Sequence, residues 1–489
     1  MTWLAKIGAL FMMLFGGIFG FSYALQTAPA SVPISVPQSQ QQTLASQSSS
    51  GSASSATSSL GGTPDIQNLM EQIGCTDFAS CESACMRTGM TSTCNDLRAL
   101  MSAEQSGYGK GSPSAAGHDV AFVGNNTSAN AGALPACPAD LGFFNALPMR
   151  IADLSGIEPL GHMNGEHVLP NQADHVYLIG STGMASTPVF APGNATLFAI
   201  VRSVGIAGAD KGTGTVKLYF SPCKSVMFAF QINTLAPQLE NALSGLHPAA
   251  VQAGAAAQNT TYGDLNIPLA SGEELGTVTA MGSQGGQADF AAADVRTAPL
   301  QFIDQNEATG MLADSYAHAV CPLDYFSASL KDALYGKLTI VHAGVNGIPA
   351  CGAVMQDKAG TAQGNWYRKS DVAPAYQGIN ESALLAIVHS NLDPAKGVIS
   401  VGTDLVQSPY LGTQIIFSPT SSGAVNREPS QIIPSDHIYC FDGPAGAGGH
   451  GAEGHIDIRL DSAMRLEADY GAGPCAARPV LTNAVIYER

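Results

Sequence analysis

VKLYFSPCKSVMFAFQI, residues 216–232, holds two runs in which apolar side chains recur at every second position: Val216, Leu218 and Phe220, then Val226, Phe228, Phe230 and Ile232. A period of two with aromatic and β-branched residues predicts half-buried β-strands. Outward from this pair, HVYLIG (175–180) and LFAIVRSV (197–204) carry the same signature, with glycine and proline marking the turns between them. Residues 135–307 therefore read as a β domain. One interruption is expected, because the stretch from Leu235 to about Gln258 is alanine-rich with apolar residues near helical spacing. It reads as an inserted helix.

Beyond residue 307 the pattern changes. ATGMLADSYAHAV (308–320) reads as a helix, and CPLDYFSASLKDALYGKL (321–338) as a turn followed by a second short helix. Strands then return as LLAIVHS (384–390), KGVISVG (396–402), TQIIFSP (413–419), HIYCFDG (437–443), HIDIRLD (455–461), MRLEADY (464–470) and NAVIYER (483–489). Short strands at fairly regular spacing predict an antiparallel β sandwich or barrel over residues 308–489. The fold class is mainly β.

A chain of 489 residues is long enough for more than one core. Its 38 acidic and 21 basic residues give a net charge of −17, which repels nucleic acid and anionic lipid alike. Nucleic acid is therefore not an expected partner. Residues 1–25 carry Lys6, an apolar run from Ile7 to Phe21 and then Ser22-Tyr23-Ala24, the layout of a secretory signal peptide. Retention of this segment as an anchor is the alternative, and it would be the only membrane contact. Residues 26–63 are Ser, Gln, Ala and Pro, too poor in large apolar groups to order themselves, and read as a disordered linker.

Residues 64–103 hold Cys75, Cys81, Cys85 and Cys94, a spacing that reads as a helical hairpin stapled by two disulfides. A second flexible linker spans 104–134. The remaining cysteines, at 137, 223, 321, 351, 440 and 475, make an even total, as full pairing in an exported protein requires. The sequence leaves their connectivity open. A bridge between Cys440 and Cys475 would stabilise by about 3 to 4 kcal/mol on the chain-entropy estimate.

PVFAPGNATLFAIV (188–201) resembles the strand pair that follows the first metal ligands in lysostaphin-type zinc endopeptidases. IPLASGEELGTVTAMGS (267–283) is similar to the glycine-bearing stretch that precedes that family's His-x-His. The resemblance implies a duplicated-hybrid-motif β scaffold, bound zinc, and cleavage of the peptide cross-links of bacterial walls. Carried across, the ligand positions fall on His167, Asp174 and Asp289, with His162 as an alternative ligand. The two catalytic histidine positions fall on Gln231 and Gln287.

These positions depart from the family pattern. His167 and Asp174 stand further apart than the family's first two ligands, and Asp289 replaces a histidine. One imidazole with two carboxylates is a harder donor set than zinc prefers. Glutamine amides take no proton from water at ordinary pH, so Gln231 and Gln287 leave the site without its usual bases. Asp174 and His175 are adjacent on an expected strand and should leave it on opposite faces, which keeps His175 out of the ligand set.

The reading that follows is an exported, non-catalytic cell-envelope protein that binds wall polymer or a protein partner and carries no cofactor. The alternatives are a zinc-dependent endopeptidase acting on peptidoglycan, and a structural envelope protein. In the second domain, CGAVMQDKAGTAQGNWY (351–367) reads as a ligand-binding loop, with Asp357, Gln363 and Asn365 for hydrogen bonding and Trp366 for stacking. His389, Arg427 and His437 are expected on the same surface. The sequons at Asn126, Asn194, Asn259 and Asn380 carry weight only in a glycosylating host.

Overall fold

A computed structural model describes residues 134–489, apart from 164–166, 206–213, 254–256, 281–284, 305–311, 369–380, 407–412, 444–453 and 476–478. The expected signal segment, both linkers and the cysteine hairpin lie outside the described residues, save Leu134. Both runs of the 216–232 stretch are strands, β5 (Gly214–Cys223) and β6 (Val226–Ile232), paired antiparallel across a two-residue turn. They sit inside a large antiparallel sheet with β1 (Leu154–Glu158), β2 (His175–Gly180), β4 (Ala195–Gly205), β8 (Ala250–Ala253), β9 (Ala257–Tyr262) and β12 (Gln287–Asp294). Its order is β1-β2-β12-β6-β5-β4-β9-β8, with β10 (Ile267–Leu269) added to β4 and β13 (Ala319–Val320) added to β12. A smaller sheet, β3-β11-β7, is formed by Ser186–Phe190, Glu274–Thr279 and Thr234–Leu235.

The alternation seen in the sequence explains the core. Phe220, Phe228, Phe230 and Phe290 are all fully buried, and Phe230 stacks on Phe290 at 4.3 Å between ring centres. Each such ring contributes about 1.5 to 3 kcal/mol through area removed from water. The expected helix over 235–258 shrinks to α1 (Pro237–Leu243), after which β8 and β9 form a hairpin on β4. Proline at the first helical position starts α1, and Gly245, with φ of 89°, lets the chain turn away after it. Downstream, Thr260, Thr261 and Tyr262 favour a pleated strand over a helix.

The two cores divide after Val354 and not at residue 308. Leu312, Tyr316, Leu323, Tyr325, Leu334 and Val354 all pack into the first core. Of the two helices expected here, the first is a 3₁₀ segment (Ala313–His318) leading into β13, while the second is α2 (Ala328–Tyr335). Tyr325 anchors the stretch by donating its hydroxyl to Asp294 at 2.7 Å. Asp294 is held below the usual carboxylate range despite its burial, because Arg296 and Tyr325 both donate to it.

All seven strands expected in the second half are present: β15 (Leu384–His389), β16 (Gly397–Val401), β17 (Thr413–Phe417), β18 (Tyr439–Asp442), β19 (Gly454–Ser462), β20 (Arg465–Ala472) and β21 (Val485–Glu488). An eighth, β14 (Gly364–Tyr367), joins them in an antiparallel sheet ordered β17-β16-β15-β14-β21-β20-β19-β18. The sheet curls into a nearly closed barrel, bringing the ring of Phe417 on β17 to 4.8 Å from that of Phe441 on β18. The described residues, from 134 on, belong to one compact unit. A third cluster seals the outer face of the second sheet, where Met163, Val168 and Leu169 pack with Leu384, Val388 and Val398.

Disulfides join Cys137 to Cys223, Cys321 to Cys351 and Cys440 to Cys475, leaving no free cysteine among the described residues. Three such bonds fit an oxidising, extracytoplasmic environment. Among the described residues no helix is long and apolar enough to cross a membrane.

Candidate functional site

The register of β2, β12, β6 and β5 lines up one polar row. Tyr177 lies opposite Asp289, Asp289 opposite Gln231, and Gln231 opposite Lys217. Directly paired residues project to the same side of a sheet. The neighbouring row, Val176, Phe290, Phe230 and Leu218, projects to the other side and is buried in the core. His175 stands two residues before Tyr177, so it shares the polar side.

Contacts then run continuously through the positions singled out in the sequence. Gln231 Nε2 donates to Asp289 Oδ2 at 2.8 Å, and Gln287 Nε2 donates to Asp289 Oδ1 at 3.1 Å. His175 Nε2 lies 3.8 Å from Asp289 Oδ2, while its Nδ1 is 3.2 Å from Asp174 Oδ1. The backbone N–H of Leu312 donates to Asp174 Oδ2 at 2.7 Å. His167 meets His175 edge to face, with 5.9 Å between ring centres. His162 lies next along, its Nε2 3.5 Å from Glu158 Oε2 and close enough for its charge to act on His167.

His175 is the residue that sequence reasoning missed. The expectation that Asp174 and His175 diverge fails because β2 begins at His175, so the two-residue alternation does not extend back to Asp174. Asp174 instead follows a 3₁₀ turn (Pro170–Gln172). Gln172 Oε1 accepts the backbone N–H groups of Val168 and Leu169, which fixes the loop that carries His167. The second sheet clamps the same loop from outside through Val168 and Leu169.

The three histidines differ in basicity. Burial pushes His167 down to about 3, assisted by the nearby charges of His175, Lys217 and His162, and burial alone pushes His162 down to about 4. Both are neutral at ordinary pH. Burial also disfavours a charge on His175, but Asp289 and Asp174 outweigh it and raise its pKa. The site thus sets an imidazole whose pKa is raised by two carboxylates beside a neutral one that is too weak a base to activate water near pH 7.

The donor atoms do not gather as a metal site in the expected manner. Both oxygens of Asp174 already face His175 and Leu312, and neither His167, Asp174 and Asp289 nor any other set here brings three donor atoms within 4.8 Å of one another. Among the described residues the one group that does so is Cys440, His455 and Asp457, in the second domain, where Cys440 is disulfide-bonded.

The expected binding loop at 351–367 is interior. Trp366 is 0 % exposed in the second core and donates its indole N–H to Ala362 O at 2.9 Å, so it cannot stack on a ligand. Asn365 is buried, and Asp357 accepts the backbone N–H groups of Ile303 and Asn365. Gln363 is half-buried, with its side-chain amide on Gln356 O. His389 is buried between Asn346 and Glu428, whereas His437 is exposed, so the two do not share a surface. The polarity of this stretch serves to join the two cores.

A cavity of about 260 Å³ adjoins His162 and is lined also by Gly161, Met163, Asn391, Lys396 and Gln414. It places one wall from the first domain against β16 and β17 of the second. No protein-family model matches the chain, and neither the curated proteins nor the solved structures yield a significant match.

Proposed function

We propose that this chain is an exported cell-envelope protein that uses a degenerate lysostaphin-type site, on a duplicated-hybrid-motif-like scaffold, to bind wall polymer or an envelope protein without cutting it. The observation that carries this reading is the pair of amides on Asp289. Gln231 and Gln287, standing where hydrolysis needs imidazoles, each donate to one carboxylate oxygen and so spend themselves on positioning. A hydrogen-bonded carboxylate on Asp289, the His175 imidazole beside it and the cavity at His162 are groups that hold a polar ligand. None of them is poised to take a proton from water.

Retention on insoluble cross-linked wall tests the binding claim. The full chain is expected to sediment with the wall, and Asp289→Ala to reduce retention at least about tenfold, the loss of one charged hydrogen-bonding partner set. Equal retention of the two proteins, with circular dichroism showing both folded, would contradict it.

One observation favours a zinc endopeptidase instead. His167 Nδ1 and His175 Nε2 are both buried without a hydrogen-bond partner. With Asp289 they would make a two-imidazole, one-carboxylate set, the donor chemistry that zinc prefers, with Asp174 orienting His175 from behind. The three side chains would have to draw together first.

A further inference from the structure

The second domain carries a separate cluster on the β18–β19 hairpin. Cys440 lies opposite Asp457 and Asp442 opposite His455, so all four project to one side, while Phe441, Ile456 and Ile458 project into the barrel core. His455 Nδ1 is 2.9 Å from the carbonyl of Gly473. A carbonyl only accepts, so Nδ1 carries a proton, and it is Nε2 that supplies the lone pair when the ring binds a metal. That Nε2 lies 3.7 Å from Asp457 Oδ2, too far for a hydrogen bond.

Asp457 is only 3 % exposed, and its Oδ1 has no hydrogen-bond partner. A buried carboxylate oxygen left unpaired is unfavourable, because it has given up water without gaining a partner. The neighbouring carboxylates are placed differently. Asp442 accepts from Asn426 and from the backbone of Cys475, and Asp469 accepts from Thr482 and Asn483. Asp457 Oδ1 is the carboxylate oxygen of this group that is buried without a partner, and the Asp457 carboxylate supplies a donor atom within 4.8 Å of donor atoms of His455 and Cys440.

We propose that Cys440, Cys475, His455 and Asp457 form a zinc site when the Cys440–Cys475 disulfide is reduced, and that the disulfide is the oxidised, metal-free state of the same cluster. Two thiolates, one imidazole nitrogen and one carboxylate oxygen supply the four donors of a tetrahedral zinc site, in which neighbouring donors stand about 3.5 Å apart. The donors of Cys440, His455 and Asp457 contract to that spacing, and Cys475, which stands outside that group in the disulfide form, supplies the fourth donor once its bond to Cys440 is broken. Gly473 is the outer partner that holds the His455 ring in the ligating tautomer.

A dithiol reductant drives the switch by exchange. One thiolate of the reductant attacks the sulfur of Cys475, which is half-buried, and Cys440, fully buried, leaves as a thiolate. The second thiol of the reductant attacks the mixed disulfide, releases Cys475 and closes the reductant's own disulfide. Zinc then binds both cysteine sulfurs as thiolates, and the two thiol protons pass to solvent. A disulfide oxidant reverses these steps: one cysteine thiolate attacks it and expels one of its sulfurs as a thiolate, the other cysteine attacks the mixed disulfide and expels the second, and closure of the Cys440–Cys475 bond removes two donors and ejects the metal. This inference is independent of the reading of the first domain.

The full chain is reduced with a phosphine, so that no added thiol competes for metal, and incubated with zinc. Alkylation of each cysteine is then followed by peptide mass spectrometry, and bound zinc is measured after equilibrium dialysis. Zinc is expected to slow alkylation of Cys440 and Cys475 at least about tenfold relative to Cys321 and Cys351. His455→Ala is expected to weaken binding of that one zinc by at least about tenfold. Unaltered alkylation of Cys440 and Cys475 in wild-type protein overturns the proposal, a result that does not depend on any variant folding. Equal zinc uptake by wild type, His455→Ala and the Cys440→Ser/Cys475→Ser pair overturns it as well.

Discussion

Trp366→Ala is expected to lower the free energy of unfolding by about 3 to 5 kcal/mol, the range for deleting a large aromatic side chain from a packed core. Trp366 sits among Leu385, Ile387, Ile456 and Tyr487 with none of its surface exposed. The guanidinium of Arg489 lies 4.0 Å over its ring, and that same guanidinium donates to the backbone carbonyl oxygens of Gln363 and Thr361. Removing the indole therefore opens a cavity and uncovers a buried cation at once. Urea unfolding of the variant measures the loss. A change below about 1 kcal/mol would mean that the ring is not in the core.

Acid should weaken the fold through the first domain's histidines. In the folded chain His162 titrates at about 4 and His167 at about 3, against an unfolded value near 6.5. Between those limits the unfolded chain holds protons that the folded chain refuses, so stability falls as pH drops below about 6.5. Each histidine contributes a slope of up to about 1.4 kcal/mol per pH unit. His175 acts in the opposite sense. Its raised value gives stability that is fully present below about 6.5 and is lost as pH rises through the folded value.

Urea midpoints measured from pH 7 to pH 4 for wild type and His167→Gln separate these contributions. The variant's slope is expected to be shallower by about one proton. Identical slopes would contradict the burial of His167 as a neutral imidazole.

The strands of the second half were legible because each is a run of four to nine residues, with apolar side chains at period two in β19 and β20 and continuous in β15. β14 escaped notice because it is short and lies among glycines and amides that also suit a loop. Convergence of the polar positions was legible too, since Gln231 and Asp289 fall on central strands of one sheet. Their chemistry was not. Whether Asp174 turns back on His175 depends on where β2 starts, and no residue type marks that boundary.

The same limit applies to Asp357 and Asn365, which are buried because backbone N–H groups meet the Asp357 carboxylate. Composition does not separate a carboxylate that serves its own backbone from one that awaits a ligand. Leu312 to Val354 joined the first core through side-chain packing and the Tyr325 hydroxyl on Asp294, contacts distant in sequence.

The central claim is that two glutamine amides on Asp289 hold a site that binds without hydrolysing. Digestion of cross-linked peptidoglycan by the full chain, purified without chelator and supplied with zinc, tests it most directly. The account predicts no soluble peptide above that released by buffer. Released peptides that disappear in Asp289→Ala would contradict it and make the two unpartnered imidazole nitrogens of His167 and His175 the zinc ligands of a working enzyme.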